Sequence, residues 1–392
     1  MQICAPGDSH ALAAKLDETI DAALAASRLV GVEVLLAVND RMRYRRAAGW
    51  SDREAGVALA ENGLFRLASL SKLYVACAAM RLAVRGELRL DAAVSDYLPY
   101  FAPRLADGSV PAITLRSLLS HTSGLGYGFL QPAGGAYRAA GVSDGLDHAG
   151  ISLEDNLRRL AALPLWHAPG SAWTYSLGLD VMGGVLEAVC GAPLADIVRR
   201  EVAVPLGLAD TGFHAADPAR LGVAYADGPV RMAERHALQM APELAGIDFA
   251  PGRALDASAF PSGGAGMVGT ASDFLALLEA LRRGGDGWLP PEAVAELARS
   301  HTGGLEMEGW PGWSHGLGFA VLRDPAAAGL PASRNSWRWL GAYGHGWLVD
   351  PARGISLVAC SNTAFEGAIG AFGAELIAAV YAGLDHRDGE AA

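Results

Sequence analysis

The spacing of apolar residues changes character along this chain, and the order of those changes is what most restricts its fold. Behind Ser9, a candidate N-cap, Leu12, Leu16, Ile20 and Leu24 recur every fourth position, which predicts an amphipathic helix to about Ser27. Val32 to Val38 and Met42 to Gly49 are strand-like, and Asn39 and Asp40 between them predict a hairpin. From Ser69 to Cys190 the periodic pieces are mostly helical and separated by Gly and Pro. They are Ser69 to Arg85 before Gly86, Thr114 to Ser120, Leu153 to Ala162, and Leu177 to Cys190 before Gly191. Strand character returns at Gly318 to Leu322, Tyr343 to Val349 and Gly354 to Ser361. The implied fold is α+β: an antiparallel sheet built from both chain ends and flanked by helices, with a mostly helical domain inserted. The expected division is a sheet domain from 1–85 and 200–392, a helical insert over 86–199, and an active site between them.

A chain of 392 residues is long enough to bury a sizeable core. Its net charge of −11 leaves no basic stripe for phosphates, so a nucleic-acid partner is not expected. Arg41, Arg43, Arg45 and Arg46, the densest basic cluster, are expected on the polar face of a strand. Cys4, Cys77, Cys190 and Cys360 are far apart and lack metal-ligand spacing, which predicts free thiols and no metal or cofactor. The first residues lack a positive segment followed by an apolar one, and the longest apolar run, Val30 to Val38, is interrupted by Glu33. A cytoplasmic protein with no membrane partner is expected, and the oligomeric state is left open.

Of the 31 basic residues 29 are arginine, so any chemistry that needs a lysine falls on Lys15 or Lys72. Lys15 sits in the first helix and is expected at the surface. Lys72 closes Ser69-Leu70-Ser71-Lys72, an S-x-x-K in which positions three apart share one helix face, so the amine can point at the Ser69 hydroxyl. The helix N-terminus favours negative charge developing on that oxygen. The flanks, FRLAS and LYVACAAM, are apolar, so this helix is expected to be buried, and burial favours the neutral amine that a general base requires. Tyr175, in PGSAWTYS, becomes a proton shuttle when a cation such as Lys72 lies beside it. A rival serine, Ser143, stands in Gly141-Val142-Ser143-Asp144-Gly145, a match to G-x-S-x-G. That pattern works where a buried strand enters a helix through a sharp turn. GGAYRAA before it is no such strand and LDHAGIS after it no helix start, so Ser143 is expected to be a loop serine.

FRLASLSK, ITLRSLLSHTSGL, PGSAWTYS, VPLGLADTGF and SGGAGMVGTASDF, in this order, resemble the serine β-lactamase-like family, which holds class C β-lactamases, DD-peptidases and family VIII carboxylesterases. The resemblance runs from about Phe65 to Asn362. It implies that Ser69 is the acyl-forming nucleophile, Lys72 its partner and Tyr175 the tyrosine of the Y-x-N box. Leu177 stands where that box has Asn, and Trp339-Leu340-Gly341 replaces the usual Lys-Thr-Gly or His-Thr-Gly. W-x-G followed by Tyr343-Gly344-His345-Gly346-Trp347 is similar to family VIII esterases, with Leu340 a departure from their W-G-G. The resemblance also implies an oxyanion hole from the backbone N–H groups of Ser69 and Ala342. Trp339, Gly341, Tyr127, Leu177 and His345 are expected around the substrate. His121 is expected to be a structural loop residue, and Trp310, Trp313, Trp337, Trp339 and Trp347 to divide between core and an aromatic pocket.

These readings imply a serine carboxylesterase that hydrolyses short-chain acyl esters, its partner a small-molecule ester, through a Ser69 acyl-enzyme. Whether Lys72 or Tyr175 is the general base stays open. The alternatives are a β-lactamase, DD-peptidase or linear amide hydrolase of the same fold, or a binding or sensor member that is acylated without turnover.

Overall fold

The computed structural model describes residues 8–385, so Cys4 lies outside it. In chain order the elements that build and place the site are α1 (Asp8–Ala25), β1 (Gly31–Val38), β2 (Arg41–Asp52), β3 (Val57–Ala58), α2 (Ser71–Val84), α3 (Leu115–Leu119), α4 (Leu153–Ala161), α5 (Gly178–Cys190), α6 (Ala271–Arg282), β4 (Trp313–His315), β5 (Ala320–Leu322), β6 (Trp337–Gly341), β7 (His345–Asp350), β8 (Ile355–Ser361) and α7 (Ala371–Asp385).

The eight strands form one antiparallel sheet in the order β4-β5-β6-β7-β8-β1-β2-β3. The first strand pairs with the last, Val34 opposite Ala359, so the chain ends meet at the sheet centre. Asn39 and Asp40 both have positive φ, 50° and 64°, as a two-residue hairpin turn between twisted strands requires. β1 and β8 are buried almost throughout because helices cover both faces, and they read as continuous apolar runs rather than alternations. Successive side chains of β7 identify the two covers. Trp347 meets Phe274 of α6 at 5.9 Å between ring centroids, whereas Asp350, on the opposite face, accepts a 2.7 Å hydrogen bond from Tyr381 of α7. α7 lies along α1, with Gly383 directly against Leu12. α2 packs beneath the sheet on α5, and eleven of its residues are buried.

Several boundaries differ from expectation for local reasons. α1 begins at Asp8, so Ser9 lies inside the first turn instead of preceding it. α2 begins at Ser71, not Ser69, because Ala68 has φ +47° and the chain passes through one 3-10 turn, Ala68–Leu70, before the α-helix starts. The arginines of β2 serve two faces: Arg45 reaches Glu33 at 3.1 Å, and Arg46 reaches Asp17 of α1 at 2.9 Å. Three strands of the sheet escaped the pattern reading, among them the two-residue β3. β6 does alternate, with Trp337, Trp339 and Gly341 buried and Arg338 and Leu340 less so, but five residues with a central arginine carry a weak signal. β4 is three residues long behind Pro311-Gly312. Cys77, Cys190 and Cys360 are free thiols. No single helix among the described residues is long and apolar enough to cross a membrane.

Candidate active site

Ser69 occupies the middle of the 3-10 turn, and the turn is held from several sides. Ahead of it Phe65–Arg66 pairs with Val268–Gly269, and the Leu67 N–H donates to the Met267 carbonyl at 2.9 Å. Behind it Ser71 Oγ accepts from the Met267 N–H at 3.0 Å. These bonds offset the left-handed backbone of Ala68, a strain of roughly 1–3 kcal/mol that places the next side chain outside the helix path.

Lys72, in the first turn of α2, is fully buried. Its Nζ donates to Ser69 Oγ at 3.2 Å and to the Gly264 carbonyl at 2.7 Å, and it lies over the ring faces of Tyr175 (4.7 Å) and Tyr127 (5.3 Å). Such contacts replace part of the hydration that burial removes. Gly264 is fixed in turn: Ser262 Oγ donates at 2.6 Å to Asp180, a buried carboxylate on α5 whose pKa burial raises against the charge of Lys72. The phenol of Tyr175 donates to Ser69 Oγ at 2.6 Å. Its loop is stitched to the segment after α3, Thr174 N–H to His121 carbonyl at 2.9 Å and Leu177 N–H to Gly126 carbonyl at 3.1 Å.

Ser69, Lys72 and Tyr175 are thus brought together from segments up to 106 positions apart. Trp339 meets Tyr175 at 5.4 Å, and Trp310 stacks on Trp339 at 5.3 Å. Tyr127 meets Tyr175 at 4.9 Å. Gly341 ends β6 hard against the Ser69 turn: a Cβ there would lie 2.8 Å from the Leu67 carbonyl oxygen, so only glycine lets the strand come this close, and Ala342 follows it. Leu177 and His345 are both buried, as Tyr127 and Lys72 are. His345 works from behind, its Nε2–H directed at the Arg66 carbonyl 2.7 Å away, and burial pushes its pKa down to about 4. His121, expected to be a structural loop residue, has φ +58°, with Nδ1 3.1 Å from Ser176 Oγ and its ring 4.9 Å from that of Tyr175. Trp337 and Trp347 pack on Phe319 in the core, while Trp313 meets Trp310 edge-on.

Two participants carried no sequence signal. His315 packs 4.9 Å from His121 and 5.1 Å from Trp339, and burial pushes its pKa down to about 3 and that of His121 well below the usual imidazole value, so both imidazoles are neutral. Asp180 and His315 share no spacing with a recognisable partner, so only the fold assembles them. Ser143 is buried elsewhere, its hydroxyl donating to Asp147. A cavity of about 660 Å³ lined by His148, Glu187, Phe213, Arg253 and Asp256 contains none of these residues. Chemically, the site can pass the Ser69 proton across a 2.6 Å contact to a tyrosine whose phenolate a neighbouring ammonium would stabilise.

The chain is 50% identical over 381 residues to Esterase EstB of Burkholderia gladioli, which covers 96% of each chain. A solved structure described as EstCE1, a hydrolase with promiscuous acyltransferase activity, superposes with a TM-score of 0.90 at 44% identity, covering 95% of this chain and 99% of that one. An engineered simvastatin synthase from Aspergillus terreus shares the fold at 23% identity, with a TM-score of 0.75 over 96% of each chain. The Beta-lactamase family profile matches residues 16–382, and with that match spanning the sheet, the helical middle and the Ser69 turn, the chain belongs to the Beta-lactamase family.

Proposed function

We propose that this protein is a serine carboxylesterase acting on small esters with short acyl chains, with Ser69 as nucleophile. The observation that carries the reading is the convergence of Tyr175 Oη and Lys72 Nζ on one oxygen, at 2.6 and 3.2 Å. Tyr175, as phenolate beside the Lys72 ammonium, takes the Ser69 proton. The serine oxygen bonds to the ester carbonyl carbon, and the N–H groups of Ser69 and Ala342 receive the oxyanion. Collapse breaks the bond to the alcohol oxygen, which leaves with the proton held by Tyr175. Water then repeats the sequence on the acyl-enzyme and releases the acid.

Trp339 and Leu177 support ester over β-lactam or peptide substrates. A cation that would grip a carboxylate is replaced by an indole packed among Tyr175, His315 and Trp310. The described likeness to a hydrolase with acyltransferase activity favours a second outcome at the same acyl-enzyme, capture by an alcohol in place of water. The reading includes a sheet domain of 1–85 and 200–392, a helical domain of 86–199 with the site between them, and a cytoplasmic location. Turnover of a nitrophenyl butyrate against a chromogenic cephalosporin tests it: ester cleavage should dominate, and faster opening of the cephalosporin ring would overturn it.

A further inference from the structure

Gly141-Val142-Ser143-Asp144-Gly145 is the one sequence pattern that this chemistry leaves unused. The turn is pinned to α4 by two bonds with one side chain, the Ser143 N–H to Asn156 Oδ1 at 2.8 Å and Asn156 Nδ2 to the Ser143 carbonyl at 3.0 Å. Gly145, at φ +84°, lies so close to Ser262 that a Cβ would come within 2.1 Å of its Oγ. Ser262 opens the loop whose Gly264 carbonyl holds Lys72. From this anchored turn Asp144 reaches toward the site. Its Oδ1 accepts the Gly128 N–H at 2.8 Å and its Oδ2 the Phe129 N–H at 3.1 Å. Those amides belong to the two residues after Tyr127, whose ring stacks on Phe129 at 4.6 Å and touches Tyr175 and Lys72.

We propose that Asp144 is a positioning residue: by clamping the Gly128 and Phe129 amides it holds the Tyr127 ring against Tyr175 and Lys72, and so sets the width of the acyl pocket. The serine of the pattern is incidental and the aspartate is the functional member. The inference rests on the Ser69 reading above. Two acceptor oxygens facing two N–H groups suit a carboxylate and not an amide, since an amide would turn a donor toward one of them. Asp144 retains some solvent contact, yet its surroundings push its pKa up to about 7, chiefly by burial and then by Asp147, against the two N–H bonds and Arg138. Tyr127 and Tyr137 also face it. The clamp therefore tightens as the carboxyl ionises across neutral pH.

The test uses the full chain and nitrophenyl acetate, butyrate and hexanoate, with kcat and KM measured from pH 5.5 to 9. Asp144→Asn should lower kcat/KM by about tenfold to a hundredfold, mainly through KM. It should also flatten the chain-length preference and remove the part of the acid limb near pH 7. Ser143→Ala should leave all three intact. In Tyr127→Ala the Asp144→Asn change should add nothing, whereas a general folding defect would add in full. The proposal is overturned if Asp144→Asn matches the parent in KM, chain-length order and pH profile, or loses activity only in proportion to folded protein. Failure of the underlying reading looks different: Ser69→Ala would then remain active.

Discussion

The Tyr175 phenol lies 2.6 Å from Ser69 Oγ, closer than the Lys72 ammonium at 3.2 Å. That ordering favours the tyrosine as the group that takes the proton and the lysine as the group that stabilises its anion. Tyr175→Phe keeps the ring contacts with Trp339 and Tyr127 and removes only the hydroxyl. It should lower kcat by about 10²–10⁴ with KM little changed, read from nitrophenyl butyrate kinetics.

Lys72→Arg should abolish ester hydrolysis while the fold persists. A guanidinium stays charged, is bulkier, and cannot reproduce a point donor shared between Ser69 Oγ and the Gly264 carbonyl. Lys15→Arg on α1 serves as the matched control and should be silent. Circular dichroism and kcat/KM on both variants check this.

Trp339→Ala removes an indole that is 5% exposed and packed on Trp310, Tyr175 and His315. The cavity should cost ~3–5 kcal/mol of stability and shift preference toward longer acyl chains. The ratio of hexanoate to acetate kcat/KM, with a urea titration, measures both.

Buried histidines predict loss of stability in acid. His345 is pushed down to about 4 and His315 to about 3, while the unfolded chain protonates near 6.5. Below pH 6.5 the unfolded state therefore takes up protons that the folded state refuses. Each imidazole's contribution is full above that pH and falls by up to ~1.4 kcal/mol per unit as pH drops toward its folded value. The raised carboxyls of Glu33, Asp180 and Asp144 act in the opposite sense, with stability present below about pH 4 and lost as pH rises through their folded values. Comparing His345→Gln with the parent isolates one imidazole: the difference in urea midpoint should shrink between pH 7 and pH 5.

Ser69 and Lys72 were legible because three residues along one stretch of chain fix their relation whatever the rest does. Tyr175 stood out as a candidate proton shuttle, but its box and the place of Trp339 became legible only through resemblance, since nothing local in PGSAWTYS or WRWLG says that these rings meet at 5.4 Å. The 3-10 turn was hidden because Ala68 carries no side-chain signal for φ +47°; the bonds from Met267, some two hundred residues on, impose it. His315 and Asp180 were invisible for the same reason. The hairpin at Asn39-Asp40 and the long α2 were plain because turn chemistry and burial there agree locally.

The central claim is that Ser69 is the residue acylated. Labelling the full chain with a fluorophosphonate and mapping the modified peptide by mass spectrometry tests it directly. A single adduct on the peptide bearing Ser69, lost in Ser69→Ala together with ester hydrolysis, is the predicted result. An adduct on Ser143, or hydrolysis that survives Ser69→Ala, would contradict it.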